Sequence, residues 1–520
     1  MNNFIKIYIW QIISIVFNFA AVFVVTPYLS SNQALYGIYS IVTAAYLFIS
    51  YADFGFLSAG MKYASESYAR NDIDDEIKFI GFSGMVFLLF VLLYSGVILI
   101  ASVSPGILVE GIKSAKEISI ARSLLIILAL FCPVFALQRI LQIIFGVRMQ
   151  DYKFQRVLVL SNLAKVLAAI FFFSSGKYLI VEYFLFSQVF SLIAVLVGFV
   201  MAKKSLNYDL VLLLKSFKLS KEIYNKTKKL AFTSLFLTFC WILYYELDTF
   251  VIAKKLGANS VAVFAIGLTV MTYFRSIFGV FFTPFIARFN YFVGLKDKVG
   301  LKSFFMKVLV VFIPITVFPV LAVSLTTKNF IFTWVGDNYS NSIKITEIML
   351  LSHLFSFISY PAGILIMAYE RVRALYFTSA LQPILYWSGI ILTYPFWKLE
   401  SFAYFKFIAF LIAAIVYLII ILKFFDLKFG FFFKKVILPA LPSLAAIVII
   451  LFIIQDFMPI THNKMFLLLY FVIIGMTTFI GILIYYLISK DYRIFLNGLI
   501  SKIANVFREK HTRYLKNRIT

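Results

Sequence analysis

Six ionisable residues lie inside or near the ends of long apolar stretches, where they could bind a proton, an ion or an anionic group. The cations are Arg139, Lys165 and Arg275, and the acids are Asp53, Glu246 and Asp248. A charge near the centre of a membrane helix costs about 2.5–3.5 kcal/mol on insertion scales, so it usually faces water or a partner. We therefore expect the cations to bind an anionic substrate. The acids are expected either to couple transport to a proton or cation, or to pair with a neighbouring Lys or Arg.

The neighbours of the cations favour a water-filled cavity. Lys165 lies near the middle of its segment, and Ser161 and Asn162 share its face at helical spacing. Small or polar residues also accompany Arg275 and Arg139 at that spacing. Each cation could instead extend towards the membrane surface or form a local ion pair, and the sequence leaves these alternatives open.

Enzyme signatures are absent from the sequence. It contains no P-loop, no nucleophile elbow, no HExxH and no paired-cysteine motif. The three histidines are far apart, and Cys132 and Cys240 lie inside apolar segments, as small packing residues do. The sequence therefore predicts no catalytic residue, no metal site and no cofactor, and it excludes an ATP-driven pump within this chain.

Membrane helices must position these residues, because the chain is too apolar to cover its own surface in water. Hydrophobic residues make up 62% of the 520 residues and charged residues 14%, whereas soluble domains carry roughly a quarter charged residues. Windows of about 20 apolar residues predict an all-α polytopic membrane protein with about fourteen transmembrane helices. These segments lie near 7–29, 34–58, 79–101, 119–146, 154–174, 178–201, 230–252, 258–285, 304–325, 344–368, 373–393, 402–423, 434–454 and 465–488.

The connections between these segments carry the net charge of +25, which indicates membrane topology and not nucleic-acid binding. With the N-terminus in the cytoplasm, Lys and Arg are roughly threefold more frequent on the cytoplasmic side than on the outer side. Lys406 is counted with the outer connections and helix ends. The bias predicts that both termini are cytoplasmic and that the number of helices is even.

The longest cytoplasmic connection divides the predicted helices. It holds eight lysines against Asp209 and Glu222, a bias that topology explains, with a docking loop for a partner as the alternative. The predicted domains are an N-terminal six-helix bundle at 1–201, this basic linker at 202–229, a C-terminal six-helix bundle at 230–423, helices 13 and 14 at 424–488, and a basic cytoplasmic tail at 489–520. The acids of the 59–78 connection, Glu66, Asp72, Asp74, Asp75 and Glu76, are expected to form a solvated surface.

Several stretches, in this order and spacing, resemble the Wzx-type polysaccharide flippases of the multidrug/oligosaccharidyl-lipid/polysaccharide exporter superfamily. They are Pro27 with Tyr36-Gly37-Ile38-Tyr39; Asp53-Phe54-Gly55 followed by Lys62; Gly146-Val147-Arg148-Met149-Gln150; Asp248-Thr249-Phe250-Val251-Ile252 running into Leu256-Gly257; and Trp334-Val335-Gly336-Asp337. The second half departs from the pattern, because Val263-Phe264 stands where a Gly-Tyr type pair is usual.

The resemblance implies a MATE-like fold of two six-helix bundles around a central cavity, with two further C-terminal helices. It implies a flippase of the bacterial inner membrane that moves an undecaprenyl-pyrophosphate-linked oligosaccharide outward by alternating access for O-antigen, capsule or a similar polymer. Partners would be this lipid-linked oligosaccharide, membrane lipid, and the polymerase and chain-length regulator of the same pathway. Arg139, Lys165 and Arg275 would then contact the anionic head group.

Three rival functions remain open at this stage. A peptidoglycan lipid precursor flippase would share the fold and the anionic substrate. A drug/cation antiporter would be expected to have acids, not bases, dominating its cavity. A membrane glycosyltransferase or polymerase would need a sizeable outer loop for catalysis, whereas the longest outer connections, near 102–118 and 326–343, are short.

Overall fold

The computed structural model describes residues 2–51, 53–110, 112, 114–173, 178–369, 372–455, 457–458, 461, 465–498 and 501. The fold is 90% helix, and no strand occurs in these ranges. The predicted all-α class is confirmed. The tail predicted at 489–520 lies outside the described residues from 502 onward.

Nineteen α-helices lie in the described ranges, numbered here in chain order. They are α1 Asn2–Leu29, α2 Gln33–Ile49, α3 Phe56–Ala69, α4 Ile73–Val103, α5 Ala115–Val147, α6 Asp151–Phe173, α7 Ile180–Leu206, α8 Leu210–Lys215, α9 Lys221–Tyr245, α10 Leu247–Gly294, α11 Lys298–Leu325, α12 Thr327–Val335, α13 Ser342–Ser352, α14 Ser356–Ala368, α15 Val372–Trp397, α16 Leu399–Phe425, α17 Phe429–Phe432, α18 Leu441–Gln455 and α19 Met465–Ile488.

In the described part of the chain, 12 helical stretches are long and apolar enough to cross a membrane. The fourteen predicted segments differ from these at two places. Helix α2 is apolar but has only 17 residues, and α9 with most of α10 forms one run of 63 residues, Lys221–Thr283. A hydrocarbon core takes roughly 20 helical residues, so this run is too long for one crossing. The chain is a multi-pass membrane protein, and the sides of its termini stay a prediction.

Two glycines of the family-like motifs have distinct structural roles. Gly257 interrupts α10 with φ 79° and ψ 176°, a left-handed φ that favours glycine. Gly37 lets α2 approach α10 closely, because a Cβ at this position would lie 1.9 Å from the carbonyl oxygen of Ala258. A side chain at either position would therefore disturb the local path of α10.

Short polar side chains begin several helices. Asn32 Oδ1 accepts from the Leu35 amide at 3.1 Å and caps α2. Asp72 Oδ1 accepts from the Asp75 amide at 3.0 Å and caps α4, and Asp209 caps α8 in the same way. These caps satisfy amides that have no partner inside the helix, so the turns between apolar segments are defined by their polar residues.

Two compact units make up the chain. Unit 1 contains Met1–Val280, Asp337–Ile345 and Ser379–Lys406. In its first part, α4 packs against α3 and α5, α6 packs against α1 and α7, and α5 packs against α7. The buried core along α2–α7 includes Ile38, Phe87, Leu128 and Phe145. All six residues of the predicted site belong to this unit.

Unit 2 contains Phe281–Gly336, Thr346–Thr378 and Phe407–Thr520. Within it, α11 packs against α14, α18 and α19. The Tyr485 hydroxyl of α19 donates to the Val310 carbonyl of α11 at 3.2 Å, and its ring contacts Phe318. The last helices are thus anchored on α11. The division into two six-helix bundles and a C-terminal pair stays a prediction.

Candidate functional site

Lys165 lies in the middle of α6 and contacts α7. Its Nζ donates to Ser191 Oγ at 2.9 Å, and Ser191 Oγ donates in turn to the Ser187 carbonyl at 3.1 Å. Among the described residues, no carboxylate lies within ion-pairing distance of Lys165. A half-buried ammonium with a neutral hydroxyl partner can still accept a negatively charged ligand.

A polar side-chain network continues along the same face of α6. Asn162 Nδ2 donates to Asn18 Oδ1 of α1 at 2.7 Å. The Tyr273 hydroxyl of α10 donates to the Asn18 carbonyl at 3.1 Å. Asn162 and Lys165 are three residues apart and therefore neighbours on the helix surface. The polar face that the sequence predicted around Lys165 therefore joins α1, α6 and α10.

Arg275 pairs with Glu246, the residue between α9 and α10. Arg275 Nη2 lies 3.7 Å from Glu246 Oε1, and the two side chains are only 15% and 7% exposed. The guanidinium also stacks on Tyr245, with 4.4 Å to the ring centroid, and on Trp241 at 5.1 Å. The Tyr51 hydroxyl donates to the same Glu246 oxygen at 3.1 Å. The sequence left two roles open for Glu246, coupling to an ion and pairing with a basic residue, and the structure shows Glu246 in an ion pair.

A variant pair can separate the two roles of Arg275. Arg275→Gln should lower stability by about 1–3 kcal/mol, because it leaves the mostly buried Glu246 carboxylate without its cation. Glu246→Gln in the same chain should restore stability. If the guanidinium also contacts substrate, transport stays absent in this double variant. Thermal unfolding of the purified protein and a complementation assay measure the two effects, and normal transport in the stable double variant would show that Arg275 has only a structural role.

Asp248 is enclosed at the beginning of α10. Its carboxylate forms an ion pair with Lys406 of α16, and both side chains are fully buried. The Tyr386 hydroxyl donates to Asp248 Oδ2 at 3.1 Å, and the Thr249 amide donates to Oδ1 at 2.8 Å. Lys406 Nζ also donates to the Tyr244 carbonyl at 3.1 Å. The Asp248–Lys406 pair therefore links α9, α10, α15 and α16.

Sequence reasoning did not identify Lys406 as the partner of Asp248. Lys406 was counted only as a charge of the outer connections and helix ends, whereas its side chain is fully buried in the first turns of α16. The available signal was its position inside a predicted apolar segment, together with an acid at membrane depth that required a cation. The pairing itself spans 158 positions of sequence, which local patterns cannot show.

Arg139 lines a cavity of about 390 Å³ between α5 and α6, and the carboxyl group of Asp53 lies within electrostatic reach of its guanidinium. Arg139 Nη1 donates to Gln142 Oε1 at 2.9 Å. Arg139 and Gln142 line the cavity, together with Asp151 and Gln155. The cavity carries donors and acceptors of both charge signs, which suits the hydroxyl and amide groups of a sugar as well as an anion.

Glu76 corrects the prediction of a solvated 59–78 surface. Its side chain is fully buried and forms a two-point pair with Arg148, with 3.0 Å from Nε to Oε1 and 3.1 Å from Nη2 to Oε2. Arg148 Nη1 also donates to the Leu206 carbonyl at 2.7 Å, and its guanidinium stacks on Tyr208 at 4.8 Å. The Arg148 of the family-like motif thus fastens α4 to the C-terminal end of α7.

Arg148→Lys should destabilise the protein by about 2 kcal/mol, because lysine keeps the charge but cannot reproduce the fork of hydrogen bonds. Thermal or denaturant unfolding of the purified protein would measure it. Arg122→Lys is the matched control, since Arg122 is exposed and donates to one carbonyl, that of Val103. An equal effect of both substitutions would contradict the bracing role of Arg148.

The predicted site residues therefore fall into four local arrangements. Arg275 is paired with Glu246, Arg139 is near Asp53, and Asp248 is paired with a lysine outside the predicted set. Lys165 forms a separate polar cluster with Ser191. In the described ranges, no group of three or more His, Cys, Asp or Glu side chains could hold a metal ion.

No protein-family model matches this sequence, and no curated protein matches it. Solved structures match by fold. The lipid II flippase MurJ in an inward closed conformation has a TM-score of 0.66 at 16% identity, covering 94% of this chain and 100% of that chain. An inward-facing multidrug resistance MATE family transporter of the MOP superfamily has a TM-score of 0.61 at 13% identity, covering 80% and 98%. A MOP superfamily transporter from Pyrococcus furiosus, described with a binding pocket of reverse polarity, has a TM-score of 0.56 at 12% identity, covering 82% and 96%. The chain thus has the MurJ and MATE fold.

Proposed function

We propose that this chain is a flippase that moves an isoprenoid-pyrophosphate-linked oligosaccharide across the bacterial inner membrane by alternating access. The observation that carries the proposal is Lys165, a cation at membrane depth with a serine partner and, within the described chain, no ion pair. An unneutralised charge at that depth is costly and is usually functional. The MurJ and MATE fold supports a transporter or flippase.

The substrate class follows from the chemistry of the site. A pyrophosphate is strongly anionic, and moving it past hydrocarbon requires a cation in a polar setting. Lys165 supplies the charge, while Asn18 and Asn162 supply neutral donors and acceptors beside it. In this proposal the pyrophosphate lies at Lys165. Arg275 and Arg139 contact the head group further along its path, with Gln142 and the cavity beside Arg139 receiving sugar hydroxyls.

The acids are proposed as ion-pair partners more than as coupling sites. Glu246 has Arg275, Asp248 has Lys406, and Asp53 has Arg139 within electrostatic reach. A drug/cation antiporter would use such acids to bind cations. Here each acid already has a basic residue beside it, which disfavours the binding of a further cation. The biological partners in this proposal are the undecaprenyl-pyrophosphate-linked oligosaccharide, membrane lipid, and the polymerase and chain-length regulator of one pathway.

A second candidate is a flippase for a peptidoglycan lipid precursor. The supporting observation is coverage, because the MurJ structure matches 94% of this chain, whereas the MATE structure matches 80%. Both candidates carry an anionic lipid-linked sugar, and the fold alone does not separate them.

Deletion of the gene tests the proposal and separates these candidates. We expect lipid-linked oligosaccharide repeat units to accumulate inside the cell and surface polymer to disappear, while the cell wall stays intact. Re-expression of the wild-type chain should reverse both effects. Accumulation of peptidoglycan precursor with cell lysis would favour the second candidate, and unchanged lipid-linked sugars of both kinds would contradict both.

A further inference from the structure

An apolar groove of about 860 Å³ lies in unit 1 between α3, α4 and the beginning of α9. Phe82, Val86, Leu89 and Leu93 line it along α4. From Phe82 to Leu93 the helix rises about 16 Å at 1.5 Å per residue. This matches about half of a hydrocarbon core some 30 Å thick, which is the depth of one bilayer leaflet. The groove thus has the length and polarity of a lipid acyl chain.

One end of the groove is basic. Ser220 and Lys221 line it there, and Lys215 and Lys218 are exposed just before them in the sequence. They belong to the 202–229 connection, whose eight lysines exceed its two acids. Basic clusters next to a membrane helix attract anionic lipid, by about 1 kcal/mol per Lys or Arg near the surface. Membrane topology accounts for the lysines of this connection, but it does not account for the apolar groove beside them.

The same connection exposes apolar side chains beside its lysines. Val211 is 62% exposed, Leu214 71% and Leu219 68%. An apolar face flanked by lysines is the composition of a segment that lies in the membrane interface, with its apolar side among the acyl chains. The basic end of the groove would then lie at the level of the lipid phosphates.

We propose that the groove and the 210–224 segment form a binding site for an anionic phospholipid of the surrounding bilayer. One acyl chain occupies the groove, and the phosphate lies at Lys221 with Lys218 close by in the sequence. Leu92 and Leu93 are 49% and 67% exposed, so a bilayer lipid can enter sideways without crossing the protein. The proposal is independent of the transported substrate.

Native mass spectrometry of the purified full-length protein, titrated with phosphatidylglycerol and with phosphatidylcholine, tests this site. We expect one tightly retained phosphatidylglycerol and weaker phosphatidylcholine. Lys221→Gln should weaken phosphatidylglycerol binding about fivefold and leave phosphatidylcholine unchanged. Leu89→Trp should weaken both lipids, because it fills the groove. Lys203→Gln is the matched control, an exposed lysine of the same connection that is not among the groove-lining residues.

Three results would overturn the proposal. The first is equal retention of the two phospholipids by the wild-type protein. The second is an effect of Lys203→Gln as large as that of Lys221→Gln, which would indicate general charge attraction. The third is displacement of phosphatidylglycerol by a polyprenyl phosphate of higher affinity, which would assign the groove to the carrier lipid. Lys221 is exposed, so its variant should fold even if Leu89→Trp does not.

Discussion

Lys165→Met should reduce surface polymer to the level of the gene deletion, while the amount of protein in the membrane stays unchanged. Methionine keeps the length and the apolar stem of lysine but removes the charge that is proposed to hold the pyrophosphate. Because Lys165 has no carboxylate partner in the described chain, its removal leaves no buried anion behind, and stability should be preserved or slightly raised. Complementation of the deletion strain, with quantification of polymer and of membrane protein, measures both effects.

Two further variants define the role of Lys165. Lys165→Arg should retain part of the transport, since it keeps the positive charge with a different geometry. Lys153→Met is the matched control on the same helix, because Lys153 is half-buried like Lys165 and donates only one long hydrogen bond, to the Ser205 carbonyl at 3.4 Å. Normal polymer with Lys165→Met, or loss of polymer with Lys153→Met at equal protein levels, would contradict a head-group role for Lys165.

The largest stability effect is expected at the Asp248–Lys406 pair. Asp248→Asn or Lys406→Met alone should destabilise the protein by about 3–5 kcal/mol, because each leaves a fully buried charge without its partner. The double variant should recover most of that loss, since no isolated charge remains. Thermal unfolding in detergent of the wild type, both single variants and the double variant forms the cycle that measures the coupling.

The control for this cycle is the exposed pair between Lys344 and Glu400, which lie 2.8 Å apart with side chains 56% and 40% exposed. Lys344→Met should change stability by less than about 1 kcal/mol, because water screens an exposed pair. Additive losses in the Asp248–Lys406 cycle would mean that the two charges act independently, which would contradict the buried pair.

The sequence predicts the helices well, because their signal is local. Runs of apolar residues separated by basic and polar turns predicted the all-α membrane class, and caps such as Asn32 and Asp72 mark where helices begin. The two differences in span count arise where the length criterion fails. Helix α2 is short, and α9 continues almost directly into α10. The predicted boundary between 252 and 258 does contain Gly257, where the backbone of α10 leaves the helical conformation.

Charge partners were harder to predict than helices, because a pattern gives the depth of a residue but not what lies across from it. Glu76 appeared to be one of several solvated acids, yet Arg148 reaches it across 72 positions. Lys406 reaches Asp248 across 158. In both cases the basic residue was counted only as part of the topology bias, and the acid was interpreted without it. Only the folded arrangement of α4 with the end of α5, and of α10 with α16, brings these residues together.

The pattern of pairing changes which predicted site residue matters most. At the sequence level all three cations were candidates for the substrate head group. In the structure Arg275 already has Glu246, and Arg139 has Asp53 nearby, so a bound anion would compete with these acids. Lys165 faces no such competition in the described residues. The proposed anion site therefore centres on α6.

Transbilayer movement in proteoliposomes tests the central claim most directly. The purified chain would be reconstituted with an isoprenoid-pyrophosphate-linked oligosaccharide, and the fraction of sugar reachable by an enzyme added outside would be followed over time. We predict that the wild type moves this lipid across the bilayer, that Lys165→Met does so at the protein-free rate, and that lipid II moves more slowly. Movement of neither lipid by the wild type, or equal rates for the wild type and Lys165→Met, would contradict the proposal.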